Sequence, residues 1–176
     1  WRQLHRHERS MRSHGTPLPV VINFPWGAQE FWGTEQQYIW YRGAGGPDEI
    51  ECALFSLEEW CFSELQRGTP VDNLIKRIVD GNQCVAVLGI AVLLALHTNR
   101  VSDTVFPLVT SQALWWMDHQ RMAQEMGGGM LNLAGFTKKS DLPHAQAIKA
   151  LNERPARKQQ LRWFAQLYVL NGTFVE

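Results

Sequence analysis

The chain has 176 residues, 17 basic and 17 acidic side chains for a formal net charge of zero, and 45% apolar residues with eight tryptophans among them. That length holds one domain, or one domain and part of a neighbour, and the aromatic content argues against wholesale disorder. Zero net charge leaves no global field to favour nucleic acid or an anionic membrane.

Residues 1–14 read as the end of a basic helix, with Arg2, Arg6, Arg9, Arg12 and three histidines. No apolar h-region comes after them, so no secretory leader is expected. Residues 15–46 differ in kind. Pro17, Pro19, Pro25 and six glycines forbid a long helix. The short runs Val20–Ile22, Phe31–Trp32 and Tyr38–Tyr41 admit a brief strand or two, or an extended segment laid over helices.

Pro47 suits the first turn of a helix, and Asp48, Glu49 and Glu51 complement its dipole. Ile50, Ala53, Leu54, Leu57, Trp60, Cys61 and Leu65 match the spacing of one buried stripe, and Gly68 stops the helix. Thr69 caps a second helix, with Pro70 at its first position and Asp72 three residues after the cap. Val71, Leu74, Ile75, Ile78 and Val79 form its inner face, and Gly81 ends it.

The third helix, from about Gln83 to His97, has no polar face along Cys84–Leu96. It is stable only if other helices wrap it on nearly every side. At 13 residues the apolar run falls short of the ~20 needed to span a bilayer. Thr98 and Asn99 close it, and Pro107 breaks the next segment. Ser111 begins a fourth helix through Leu114, Trp115, Met117, Met122 and Met126, ended by Gly127–Gly129, the best linker candidate. Asp141 then caps a helix over Leu142–Asn152. Pro155 separates it from a last helix, Ala156–Leu170, with Leu161, Phe164, Ala165 and Tyr168 on its stripe and Arg157, Lys158 and Arg162 off it.

The predicted class is all-α: an irregular helical bundle or α-solenoid-like helix pairs, with an aromatic, Pro/Gly-rich extended N-terminal segment. It divides into a basic and aromatic segment (1–46), a helical core (47–126), a Gly-rich linker (127–140) and a C-terminal helical pair (141–176). Cys52, Cys61 and Cys84 sit in helical apolar patterns and read as reduced core thiols of a cytoplasmic protein. The chain opens at Trp1 without an initiator Met, and we read it as a piece of a longer polypeptide.

Chemistry-bearing patterns are scarce. A phosphate loop needs glycine amides followed by a Lys, and neither Gly43–Gly46 nor Gly127–Gly129 has one. His5 and His7 are the only close pair of metal-ligating type and lie among arginines, so no metal is expected. His97 reads as a helix C-cap, and Asp118 and His119 point about 100° apart on a helix. Acidic neighbours would raise the Cys61 thiol pKa rather than activate it. Basic and aromatic residues do not interleave, which disfavours direct nucleic-acid binding. No catalytic residue and no cofactor site is therefore assigned. Trp26, Phe31, Trp32, Tyr38, Trp40, Tyr41 and Arg42 remain: either a clasp packed over the helices, or a contact surface for another domain or protein.

Phe24–Gly33, Tyr38–Gly43, Glu51–Trp60, Gly68–Asp72 and Cys84–Ile90 resemble parts of large bacterial STAND-like P-loop NTPases associated with antiphage defence. The resemblance spans roughly residues 20–126. It implies a helical region that comes after a nucleotide-binding core and mediates sensing or assembly, within a parent that binds and hydrolyses ATP. No Walker A or Walker B motif falls on this chain, so none of the family's ATPase residues transfers to it. The expected role is a non-catalytic scaffold or interaction region, with any homo-oligomer formed through the parent. The alternatives are a stand-alone adaptor that reads its partner through the aromatic segment, and an enzyme with an unrecognised helical active site.

Overall fold

A computed structural model describes residues 19–43, 45–126 and 142–171. Among them the chain is mostly helical, with one small two-stranded sheet. Strands β1 (Val20–Phe24) and β2 (Gly27–Phe31) pair antiparallel, Val20 opposite Phe31 and Phe24 opposite Gly27. Pro25 and Trp26 make the turn, and Gly27 leaves it at φ +129°, where a Cβ would be strained. Val20, Ile22 and Phe24 are buried while Val21 and Asn23 face outward, the two-residue period of a half-buried strand.

Trp32 continues as a parallel bridge to Cys84: its N–H donates to the Gln83 carbonyl (2.6 Å), and its carbonyl accepts from Val85 N–H (3.1 Å). Thr34 then caps helix α1 (Glu35–Tyr38). Its hydroxyl accepts from the Gln36 amide (3.2 Å), and the Gln37 side chain accepts from the Thr34 amide (2.9 Å). That capping box, with Gln at its third helical position, turns the predicted extended run Tyr38–Tyr41 helical. A 3-10 turn, Ile39–Arg42, extends α1 and ends at Gly43 in the left-handed region, φ +77°.

Helix α2 spans Asp48–Gln66 after Pro47 and ends before Gly68, as the sequence predicts. Its buried stripe includes the predicted Leu54 and Cys61 but is rotated from the rest of the predicted set, of which Ile50, Leu57, Trp60 and Leu65 pack at the core's edge. Glu51, Leu54, Phe55, Glu58, Cys61 and Phe62 face the interior, whereas Ala53 is exposed and Ile50, Leu57, Trp60 and Leu65 are half-buried. Two carboxylates occupy inner positions, so an apolar count alone rotates the face. Cys52 lies on the outer side and is exposed, correcting its reading as a core thiol; Cys61 and Cys84 are buried.

Helix α3 (Val71–Val79) buries Leu74, Ile75, Ile78 and Val79. Thr69 is not its cap. Pro70 holds that position, the Thr69 hydroxyl donates to Glu64 (3.1 Å), and Asp72 accepts from the Ser102 hydroxyl (2.6 Å). Helix α4 (Val85–Thr98) buries every residue from Val85 to Leu96 and ends at Asn99, left-handed at φ 51°. His97 is exposed, its ring edge-on to Phe62 at 4.8 Å. Pro107 opens rather than breaks a helix: α5 (Phe106–Val109). Helices α6 (Gln112–Met126), α7 (Leu142–Asn152) and α8 (Leu161–Asn171) complete the chain, with a 3-10 turn at Pro155–Lys158 before α8. The linker candidate 127–140, Asp141 and the basic start lie outside the described residues.

Helix α4 is the hub. It meets α1, the Ile39–Arg42 turn, α2, α3, the Pro155–Lys158 turn and α8. One continuous core runs from Val20 through α4 to Ala165, crossing every boundary drawn on the sequence; Phe55, Ile148 and Leu151 form a small satellite. Each fully buried Leu, Ile or Val contributes about 1.5–3 kcal/mol, so the apolar run on α4 is a large share of the driving force. Among the described residues no helix is long and apolar enough to cross a membrane.

Gly89 lets α4 approach the Ile39–Arg42 turn: a Cβ there would overlap the buried Tyr41 ring and come within 3.2 Å of the Tyr38 carbonyl. Gly89→Ala should lower the unfolding free energy by up to about 2 kcal/mol in urea titrations. Overpacking of about 1–3 kcal/mol outweighs the roughly 1 kcal/mol helix-propensity gain.

Burial pushes the Cys61 thiol from 9.0 up to about 12, with Glu58 adding to the effect, and Cys84 to about 11. Burial also raises the Tyr38 and Tyr41 phenols above their ordinary 10.0. The unfolded chain therefore releases these protons first. Their stabilisation is complete below about pH 9 and is lost as pH rises. The unfolding free energy from urea titrations should be flat in this respect up to about pH 9, then fall by up to about 1.4 kcal/mol per pH unit and thiol.

Candidate interaction surface

The seven residues of the sequence-predicted contact surface are mostly interior. Phe31, Trp32, Tyr38, Tyr41 and Arg42 are buried, and Trp26 and Trp40 are half-buried against the core. Trp26 stacks on Phe24 at 4.7 Å, with the Lys76 ammonium 5.4 Å from its ring. The Tyr38 and Tyr41 rings meet edge to face at 5.8 Å. The segment is a clasp, and its buried side chains present no surface to a partner.

Arg42 instead leads into a buried ionic cluster that sequence reasoning missed. Arg157, on the 3-10 turn before α8, pairs with Glu58 of α2; both are fully buried. Its guanidinium also donates to the Tyr41 carbonyl (2.9 Å) and the Asn152 side chain (2.8 Å). Arg154 adds a second cation to Glu58 at 2.6 Å, reaches Glu59 and lies over the Phe62 ring at 4.1 Å. From α6, Arg121 binds Asp118 and Glu125 (2.7 Å each) and donates to the carbonyls of Gln159 (2.7 Å) and Arg157 (3.3 Å). Asp118 accepts from the Leu161 amide (2.7 Å), capping the start of α8. Arg42 pairs with Glu125 and also donates to the Arg157 carbonyl (3.2 Å).

Three buried guanidiniums thus face three carboxylates. Burial and the neighbouring Arg157 lower the Arg42 pKa, whereas Arg121, held by Tyr41, Asp118 and Glu125 against its own burial, is raised. The difference reflects the partners: Arg42 leaves Nε and Nη1 without hydrogen bonds, while Arg121 uses its whole fork. Both stay charged, because a guanidinium titrates far above neutrality. With no open face and no nucleophile, the cluster is structural. Its sequence signals are faint. Glu58 falls one turn after Leu54 and one before Cys61 and Phe62, and Asp118 and Arg121 stand three apart behind Leu114 and Met117.

The metal-ligating side chains and the other candidate groups lie apart among the described residues. No three His, Cys, Asp or Glu side chains converge there. Asp118 turns inward while His119 is exposed, so they form no dyad. The Gly46 amide donates to Glu51 (2.7 Å), which places a carboxylate where a phosphate would have to sit. A groove of about 930 Å³ between the start of α3 and the α4–α5 loop holds Asp72 and Ser102, but their hydrogen bond has no histidine beyond it, and Ser102 accepts from the Val105 amide (3.2 Å) as a local turn.

Apart from Val21 and Phe106, the exposed large apolar side chains among the described residues lie on two helices. Trp116 (59% exposed), Met126 (83%), Trp163 (66%) and Val169 (78%) stand out on α6 and α8. Between these helices runs a groove of about 640 Å³, lined by His119, Met122, Met126, Trp163 and Gln166 and flanked by Arg162. Large exposed apolar groups gathered on adjacent elements mark an interaction site.

Arg157→Met would leave Glu58 buried with only the half-buried Arg154 beside it. It should cost about 3–5 kcal/mol in chemical unfolding, the usual penalty for breaking one side of a buried pair. Thiol labelling at about pH 8 should modify Cys52 in the native protein, and Cys61 and Cys84 only after unfolding, because burial withholds both access and thiolate.

Comparison with known proteins gives no match: no family model fits the chain, and no curated protein or solved structure is significantly similar to it.

Proposed function

We propose that the chain is a non-catalytic helical scaffold and interaction region of a larger bacterial, cytoplasmic ATP-binding protein of the STAND-like class, serving sensing or assembly. The observation that carries the interaction role is the exposed aromatic face of α6 and α8 beside a groove lined by Met122, Met126 and Trp163. The ATP-binding parent rests on the resemblance of Phe24–Gly33, Glu51–Trp60 and Cys84–Ile90. A stand-alone adaptor working through Trp26–Arg42 is less well supported, since most of those side chains are committed to the core.

The uninterrupted open reading frame supplies the test. The 176-residue chain alone should hydrolyse no ATP. The polypeptide encoding it should do so, and should lose turnover when its Walker A lysine is replaced. Trp163→Ala in that polypeptide should weaken assembly or partner capture while leaving nucleotide binding intact. ATP turnover by the isolated chain, or a parent frame without a P-loop, would overturn the reading.

A further inference from the structure

The α6–α8 groove has features that define its occupant. On α6, His119, Met122 and Met126 line it at helical spacing, with the Trp116 ring just beyond, 6.5 Å from that of His119; on α8, Trp163 and Gln166 line it, with Val169 exposed one turn further on. Two adjacent helices with parallel stripes of this kind form the seat into which the ridge of a third helix packs. Charge narrows the choice further. Arg162 is exposed on the groove's flank and makes no hydrogen bond or ion pair among the described residues, and His119 is the other titratable side chain of the lining. Among the described residues no carboxylate lines the groove, because both acids of α6, Asp118 and Glu125, turn inward to Arg121 and Arg42.

We propose that this groove receives an amphipathic α-helix from outside these 176 residues, its apolar ridge against Met122, Met126 and Trp163 and reaching Trp116 at the groove's end, its carboxylates beside Arg162. The inference rests on the interaction-region reading and names the partner's chemistry. A second copy of the chain fits less well. A two-fold contact would bring the same acid-free, Arg162-bearing surface against itself, and like charges across an interface are unfavourable.

The test is selection of binders to the whole chain from a displayed library of amphipathic helices with a fixed Leu/Trp ridge and flank positions free to be Glu or Lys. Selected helices should be enriched in Glu. Trp163→Ala and Trp116→Ala, at exposed positions that leave the circular dichroism and urea midpoint unchanged, should weaken them at least tenfold. Swapping one flank Glu for Lys should cost about two- to five-fold, the scale of one rim ion pair, and Arg162→Glu should invert that preference. Binders that need both tryptophans but show no Glu preference would sink the acidic-helix inference and leave the interaction face standing. Binders indifferent to both tryptophans, or no binders at all, would sink both. Concentration-dependent dimers in sedimentation velocity that Trp163→Ala abolishes would make a second copy the occupant and overturn the proposal.

Discussion

Glu58 and Arg157, paired out of contact with water, hold together parts of the chain that apolar packing alone would leave free to slide. Hydrophobic contact is non-directional, whereas a guanidinium fork fits its acceptors in few geometries. Arg157 reaches Glu58 of α2 and the Tyr41 carbonyl, while Arg42 and Arg121 both close on the Arg157 carbonyl. The N-terminal clasp, α2, α6 and the entry to α8 are thereby set in one arrangement. Such pairs add little net stability against a hydrophobic substitute, and we infer that their value here is specificity of packing.

The hub and the cluster depend on one another. Helix α4 brings no polar side chain along Val85–Leu96, so the elements wrapping it must satisfy their own backbone ends away from it. The arginines do part of this work by donating to the Tyr41, Arg157 and Gln159 carbonyls. Gly89 sets the distance at which the Tyr41 ring can lie against α4, and the Tyr41 carbonyl is then in reach of Arg157. A shift in either contact would be felt by the other through that single residue.

Inside and outside are chemically distinct in a way that bears on function. The ion pairs of Asp118 with Arg121 and of Glu58 with Arg157 are sealed inside, while Trp116 and Trp163 stand exposed on α6 and α8. Trp116 and Trp163 belong to the helices that carry, on their inner sides, Arg121 and the amide bound by Asp118. The exposed face is therefore mounted on helices that buried ion pairs tie to the rest of the core, which suits a surface that must be presented in a fixed geometry.

Features that the residues determine locally are legible in the sequence. The unbroken apolar run of Cys84–Leu96 has to become a wrapped helix because no face of it tolerates water, and Pro47, Gly68 and Gly81 punctuate the helices around it through backbone sterics alone. The features that differ share a cause. Periodicity counts apolar side chains, so it rotates the face of α2 away from Glu51 and Glu58, leaves Arg157 off the buried stripe, and offers the aromatic segment as a surface. Whether an acid is buried depends on a cation delivered from about a hundred positions away, as Glu58 and Arg157 are. Only tertiary structure decides that, because the desolvation of each charge is offset by a partner that no local pattern reveals.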